Sequence, residues 1–184
     1  MDHKRRVTIS KFLSKHLRHQ PETLGLALGE GGWVEVASLL EACAAHDIPL
    51  TREQLEEVVR TSEKQLFAFD ETGTRIRANQ GHSTAVDLQL EPLEPPAVLF
   101  HGTAKKYLTV ILAFGLLKMK RHHVHLSLDH ATALQVGKRH GEPVVFTVDG
   151  AAMHARGYLF YCSANGVWLT DHVPPEFLTL IGEM

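Results

Sequence analysis

The stretch Arg121-His122-His123-Val124-His125-Leu126-Ser127-Leu128 carries the densest set of side chains able to do chemistry. With the two-residue period of a strand, Val124, Leu126 and Leu128 share one face, and Arg121, His123, His125 and Ser127 share the other. The first face suits a sheet core. The second lines up a guanidinium, two imidazoles and a hydroxyl, all able to donate hydrogen bonds and one permanently charged. Such a row suits an anionic or hydroxyl-rich ligand, although a half-exposed strand with a wet face has the same pattern. A second cationic group, Lys4, Arg5, Arg6, Lys11, Lys15 and Arg18 against the single acid Asp2, makes a local basic patch that could meet phosphate. A solvated helix face gives the same run of charge.

The elements that must position these groups can be read from periodicity. Ile9, Phe12, Leu13, His16 and Leu17 recur at helical spacing behind Ser10, a candidate N-cap, and Pro21 predicts an end near Arg18-His19. A cation at that helix end is favourable on dipole grounds alone. After Gly29-Glu30-Gly31-Gly32 comes a short extended piece, Trp33 to Val36. A helix over 37–46 follows, and a third opens on the capping box Thr51-Arg52-Glu53-Gln54. Leu66–Phe69 and Arg75–Ala78 flank a turn and predict a hairpin. Three short helices and a hairpin is the order of a winged helix, a helix-turn-helix variant often used on nucleic acid.

Glu91-Pro92-Leu93-Glu94-Pro95-Pro96 is the best linker candidate. Beyond it the pattern changes to strands at 98–100, 143–148, 158–161, 167–169 and 177–180. One helix has Tyr107, Leu108, Ile111 and Leu112 inward and Gly115 as its stop, and another covers about 131–140. Several short strands with few helices predict an α+β lobe with a split or sandwiched sheet.

Composition narrows the function classes. The 184 residues, 44% hydrophobic and 22% charged, are those of an ordinary globular protein with room for one large or two small domains. No apolar run approaches the roughly 20 residues that cross a bilayer. The charged start predicts no signal peptide, which makes the cytoplasm the expected location. A net charge of −2 argues against a generic polyanion binder. Cys43 and Cys162 predict neither a disulfide framework nor a zinc site. The 13 histidines lack metal-ligand spacing, so no metal is expected.

Five stretches, in order, resemble the RNA 2′-phosphotransferases of the Tpt1/KptA type. They are Ser14-Lys15-His16-Leu17-Arg18-His19-Gln20-Pro21, Ile76-Arg77-Ala78-Asn79-Gln80-Gly81-His82-Ser83, Phe100-His101-Gly102-Thr103, Arg121 to Ser127, and Asn165-Gly166-Val167-Trp168-Leu169. The resemblance covers nearly the whole chain. It implies a winged-helix RNA-binding lobe at 1–90, a Pro-rich linker at 91–97, and an NAD-binding lobe of the ADP-ribosyltransferase type with a split β-sheet at 98–184. It also implies a metal-free reaction in which an internal RNA 2′-phosphate attacks the nicotinamide ribose of NAD and expels nicotinamide. The ribose 2″-hydroxyl then attacks that phosphorus, giving 2′-hydroxyl RNA and ADP-ribose 1″,2″-cyclic phosphate. By resemblance, Arg18, His19 and Arg121 are catalytic. His101, Gly102, Thr103, His125, Leu126, Ser127, Asn165, Gly166 and Val167 receive NAD. Lys15, Arg77, Gln80, His82 and Ser83 meet the RNA and its phosphates. The partners are then NAD and a 2′-phosphorylated RNA of the tRNA splice-junction kind, and nothing demands more than a monomer.

One position departs from the family pattern. Where the family has an arginine just before the Phe of the first hairpin strand, this chain has Leu66, which cannot donate to phosphate. The expectation is that nicotinamide release survives while the second step is slow, unless Lys64, Arg75 or Arg77 reaches the same space. Two other functions fit the residues: ADP-ribosylation of terminal phosphates on RNA or DNA, and a non-catalytic winged-helix regulator with a degenerate second lobe.

Overall fold

A computed structural model describes residues 1–181. The chain divides into two compact units, Met1–Gln89 and a second that begins at Leu90. Both mix short helices with small antiparallel sheets, an α+β composition.

In the first unit, helix α1 spans His3–Arg18, and Ile9, Leu13 and Leu17, spaced by four residues, turn one stripe inward. The helix starts well before Ser10, because Asp2 is the N-cap and its carboxylate accepts from the Arg5 N–H at 2.7 Å. Strand β1 (Val34–Glu35) leads into α2 (Val36–Ala45), and α3 covers Arg52–Arg60. The Thr51 capping box forms in both directions, Gln54 N–H to Thr51 Oγ1 at 3.3 Å and Thr51 N–H to Gln54 Oε1 at 3.1 Å. The hairpin is β2 (Phe67–Phe69) and β3 (Arg75–Ala78), in sheet order β1-β3-β2. On β3, Ile76 and Ala78 face the core, and Arg75 and Arg77 take the other face by alternation. Burial of Leu13, Leu39, Leu55, Phe67 and Ile76 contributes about 1.5–3 kcal/mol per side chain. Cys43 lies within that core, and burial pushes its thiol up to about 11, so it acts as a small hydrophobe.

In the second unit, β4 (Val98–Ala104) is followed by α4 (Leu108–Phe114), β5 (Leu116–Leu117), β6 (Val124–Leu126) and α5 (His130–Lys138). After these come β7 (Pro143–Asp149), α6 (Gly150–Ala155), β8 (Phe160–Cys162), β9 (Trp168–Thr170), β10 (His172–Val173) and β11 (Leu178–Ile181). They form sheets of order β11-β7-β4 and β6-β9-β8, plus a β10-β5 pair. A single bridge, Phe100 to Ser127, joins β4 to the end of β6, with bonds of 2.9 and 2.7 Å. The proline-bearing segment is pinned to this unit where Leu93 N–H donates to Phe160 O at 2.8 Å.

Two expectations for this unit need correction. The Arg121–Leu128 stretch is a strand only over Val124–Leu126, and Leu128 is 54% exposed rather than in the core. The ladder ends there because Asp129 turns to cap α5, accepting from Thr132 N–H at 2.7 Å. Tyr107 and Leu112, expected inward, are exposed at 47% and 52%, because α4 is seven residues long and buries chiefly Ile111.

Helix α5 packs so closely on β4 that a Cβ on Gly102 would fall inside the Ala133 carbonyl. The glycine is therefore required by packing, and Gly102→Ala is expected to lower stability by about 3 kcal/mol or more through displaced backbone. A drop of several degrees or more in thermal midpoint would show it; an unchanged midpoint would mean that α5 shifts freely.

Candidate functional site

In the first unit the candidate residues gather where α1 ends. The last helical carbonyls lack intrahelical donors, and the Arg18 carbonyl accepts instead from Ser83 N–H at 2.9 Å and Thr84 N–H at 3.4 Å. The Ser83 hydroxyl meets His19 Nδ1 at 2.8 Å, which fixes the imidazole's orientation. The 81–84 turn can approach because Gly81 adopts φ +87° and lies beside the Arg18 side chain. The Arg18 Nε and Nη2 atoms are shielded from solvent, whereas Lys15 and His19 are exposed. His82 is 2% exposed, so its ring packs inside the unit near Gly32, and Gln80 is half-buried.

Sequence reasoning missed two residues here. Thr84 shares the Arg18 carbonyl. Asn79, 4% exposed, donates from Nδ2 to Gln65 O at 2.6 Å and from its backbone to Leu66 O at 3.0 Å, so it holds the chain just before β2. Gln65 there has φ +43°, a turn conformation unusual for a residue other than glycine. An amide between a strand end and a glycine turn was the available signal.

Arg77 on β3 is seated differently. Its Nη1 donates to Gly31 O at 3.2 Å, and its Cζ stands 4.6 Å from the centre of the Trp33 ring. Arg75 reaches the same ring at 5.7 Å and pairs with Asp70 at 3.0 Å. Leu66, one residue before β2, packs its side chain against the core.

In the second unit three of the predicted residues form a hydrogen-bonded chain. Arg121 Nη1 lies 3.1 Å from His125 Nδ1, and His101 Nδ1 lies 3.0 Å from the His125 carbonyl oxygen. A guanidinium can only donate, so His125 Nδ1 is the acceptor and its proton belongs on Nε2. A carbonyl can only accept, so His101 carries its proton on Nδ1 and keeps a lone pair on Nε2. Burial first, and then the charges of Arg121 and His140, pull His101 below its ordinary value of 6.5 against the opposing bond to His125, so the ring is neutral at pH 7. The pair thus presents one ring acceptor and one ring donor, a set that fits a ligand rich in hydroxyls.

The remaining predicted residues have mixed placements. The Leu126 side chain is 1% exposed and belongs to the core, so only its backbone could meet a ligand. Thr103 is 8% exposed on β4, and Ser127 bridges to Phe100. Asn165, Gly166 and Val167 make the turn between β8 and β9. The buried Ser163 organises it, its hydroxyl donating to Asn165 Oδ1 at 2.6 Å and accepting from Val167 N–H at 3.1 Å. Ser163 was missed, although a Ser-x-Asn-Gly run is a turn signal. Antiparallel register (Leu126 to Trp168) sets this turn beside the Ser127 end of β6. His123 stacks on Tyr161 at 5.4 Å instead of joining the chain of polar groups. No cluster of three or more potential metal ligands occurs among the described residues, and none of their helices is long and apolar enough to cross a membrane.

The lowered pKa of His101 has a signed consequence. Between its folded and unfolded pKa values the unfolded chain binds the extra proton, so this residue's contribution is fully present above about pH 6.5 and lost as pH falls below it. His101→Asn is therefore expected to flatten the acid side of the stability–pH curve relative to the parent. Parallel urea-denaturation curves from pH 7.5 to 5.0 measure this, and identical slopes would contradict it.

Comparison with known proteins identifies the family. The profile of the family described as RNA 2′-phosphotransferase, Tpt1/KptA family, matches residues 4–172. A protein of Trichormus variabilis named "probable RNA 2′-phosphotransferase" is 61% identical over 181 residues, 98% of this chain and 100% of its own length. One of Streptomyces coelicolor with the same name is 56% identical, covering 97% of each chain. A third, from Agrobacterium fabrum, is 53% identical over 93% of this chain and 92% of its own. With the match running through both units and all five motif stretches, the chain belongs to the RNA 2′-phosphotransferase, Tpt1/KptA family.

Proposed function

We propose that this protein is an NAD-dependent RNA 2′-phosphotransferase, built from a winged-helix lobe (1–90) and an ADP-ribosyltransferase-like lobe (98–184). The order of three helices, a short strand and a hairpin supports the first assignment, and two three-stranded sheets joined through one bridge support the second. The observation that carries the functional reading is the Arg121–His125–His101 chain, whose fixed tautomers suit a dinucleotide's ribose hydroxyls beside a permanent cation.

In this reading the RNA 2′-phosphate is the nucleophile, so no carboxylate is needed to activate it. Val167, where many protein-modifying relatives of the fold carry a glutamate, is consistent with that. Arg18 and Arg121 neutralise and orient phosphate oxygens. His101 Nε2 accepts from a ribose hydroxyl and His125 Nε2 donates to one. NAD supplies the C1″ electrophile and nicotinamide as the leaving group. His19, aimed by Ser83, handles the proton when the 2′-oxygen leaves, a task suited to imidazole. Lys15, Gln80, His82 and Ser83 support the RNA end, His82 from inside the fold.

Leu66 makes the second step slow. Of the candidate replacements Lys64, Arg75 and Arg77, Arg75 is neutralised by Asp70, and Arg77 is held in its own seat on the Gly31 carbonyl and the Trp33 ring. Loss of one charge-assisted clamp on the transition state costs on the order of a hundredfold in rate.

Incubating the protein with NAD and an oligoribonucleotide bearing one internal 2′-phosphate is expected to release nicotinamide and build up an RNA–2′-phospho–ADP-ribose adduct. The adduct then decays to 2′-hydroxyl RNA and ADP-ribose 1″,2″-cyclic phosphate. A stable ADP-ribose cap on a terminal phosphate would instead indicate end-capping. No nicotinamide release with any phosphorylated nucleic acid would indicate a regulator.

Leu66→Arg is expected to accelerate adduct decay by about a hundredfold while leaving adduct formation within a few-fold. Lost packing of the leucine costs it about 1 kcal/mol of stability. Single-turnover product analysis separates the two steps, and unchanged decay would show that another group already fills the role.

A further inference from the structure

Among the described residues three arginines are answered by carboxylates: Arg6 by Glu57, Arg52 by Glu56 and Arg75 by Asp70. Arg77 is not. Among the described residues it forms no ion pair, and its Nε is shielded from solvent without a hydrogen-bond partner. Its neighbours are the Gly31 carbonyl, the Trp33 ring and, across the strand pair, Ala68. Of the acids in the same sheet region, Asp70 pairs with Arg75, and Glu35 stands opposite Arg75 in the β1–β3 register. Burial pulls the Arg77 guanidinium down from its ordinary value, and no nearby charge opposes the shift.

This seat is built rather than incidental. Gly31 (φ +69°) and Gly32 (φ +78°) turn the backbone so that the indole lies against it, and a Cβ on Gly31 would come 3.1 Å from Trp33 and 3.5 Å from Arg77 Nη1. Ring and carbonyl together orient a planar fork whose remaining donors have no acceptor in the protein. An unanswered, half-buried cation is costly to keep, and a phosphate is the ligand whose oxygens match the fork. Sequence places it close to the reacting end. From Arg77 to Gln80 is about 10 Å of extended chain, and the turn that begins there holds Arg18 and His19.

We infer that Arg77, seated on Trp33 and the Gly31 carbonyl, binds a phosphodiester of the RNA strand next to the 2′-phosphorylated nucleotide, with Trp33 as its positioning residue. The inference rests on the RNA reading above and names which phosphate this arginine takes: a backbone diester, not the group being transferred.

The test uses the full chain without NAD and fluorescence anisotropy of labelled single-stranded oligoribonucleotides, so it is read independently of turnover. Arg77→Gln is expected to weaken binding about tenfold and to flatten the salt dependence by close to one phosphate contact. The same loss is expected for an oligonucleotide lacking the 2′-phosphate. A neutral methylphosphonate at one of the two flanking linkages should weaken parent binding by a similar factor and Arg77→Gln binding by nothing more. Trp33→Phe should keep most of the affinity and Trp33→Leu lose part of it, with the Leu loss also absent on the neutral linkage. If Arg77→Gln does not fold, Arg77→Lys, which keeps charge but not the stacked fork, should keep the salt slope and lose a few-fold in affinity. Three results would overturn the inference: a penalty that disappears when the 2′-phosphate is removed, losses that multiply at both linkages, or an unchanged salt slope. Failure of the parent protein to turn over the 2′-phosphorylated oligonucleotide with NAD would instead sink the functional reading, whatever the binding arms show.

Discussion

A helix ends with carbonyls that no donor of its own can reach, and in the first unit the Arg18 carbonyl satisfies that constraint by taking two backbone N–H groups from the 83–84 turn. Everything proposed for this end of the molecule depends on that bond pair. It ties residue 18 to residues over sixty positions away, and it sets Ser83 where its hydroxyl can orient His19. Gly81 makes the approach possible by taking a left-handed conformation beside the Arg18 side chain. Helix termination, turn chemistry and the aim of a candidate catalytic histidine are therefore one local solution to unsatisfied backbone.

The second unit applies the same rule to side chains. His101 is half-buried on β4, where a charged imidazole is disfavoured, and the carbonyl of His125 fixes its tautomer. The Arg121 guanidinium fixes the opposite tautomer on His125. The order depends on the short β6 ladder, because only Val124–Leu126 pairs with β9 while Arg121 stays in the preceding turn, where its side chain can fold back on His125. A longer strand with strict alternation would have set Arg121 and His125 apart on one face, about four strand steps from each other. The irregularity brings the cation to the ring.

How much of this was legible in the sequence follows from the range of each interaction. Local signals were read correctly: the Thr51 capping box, the Pro21 stop, the hairpin around Gly73 and the Gly115 stop all depend on neighbours within a few residues. The start of α1 was misplaced because Ser10 and Asp2 are both competent caps, and periodicity alone does not choose between them. Leu128 and Leu112 were placed inward because alternation and helical spacing say which face a residue occupies, not whether that face is covered. Gly102 was given a ligand role, while its tightest constraint is the Ala133 carbonyl from a helix some thirty residues on. The tautomers, the Arg18 carbonyl bonds and the seat of Arg77 are long-range facts without a local pattern.

Arginines in this chain are held in two ways. Some guanidiniums stand beside a carboxylate, as Arg6 does beside Glu57 and Arg75 beside Asp70. Others are held by neutral groups, Arg77 by an indole and a carbonyl and Arg121 by an imidazole, as Arg5 is by the Pro49 carbonyl and Arg156 by the Phe177 ring. Those groups hold a cation in place without cancelling its charge. A carboxylate would have contributed more to stability at either position, and it would have competed with any phosphate arriving from solution. Orientation without neutralisation keeps the charge of such a guanidinium undiminished. Leu66, one residue before β2, packs against the core of the first unit and brings no hydrogen-bond donor to that position.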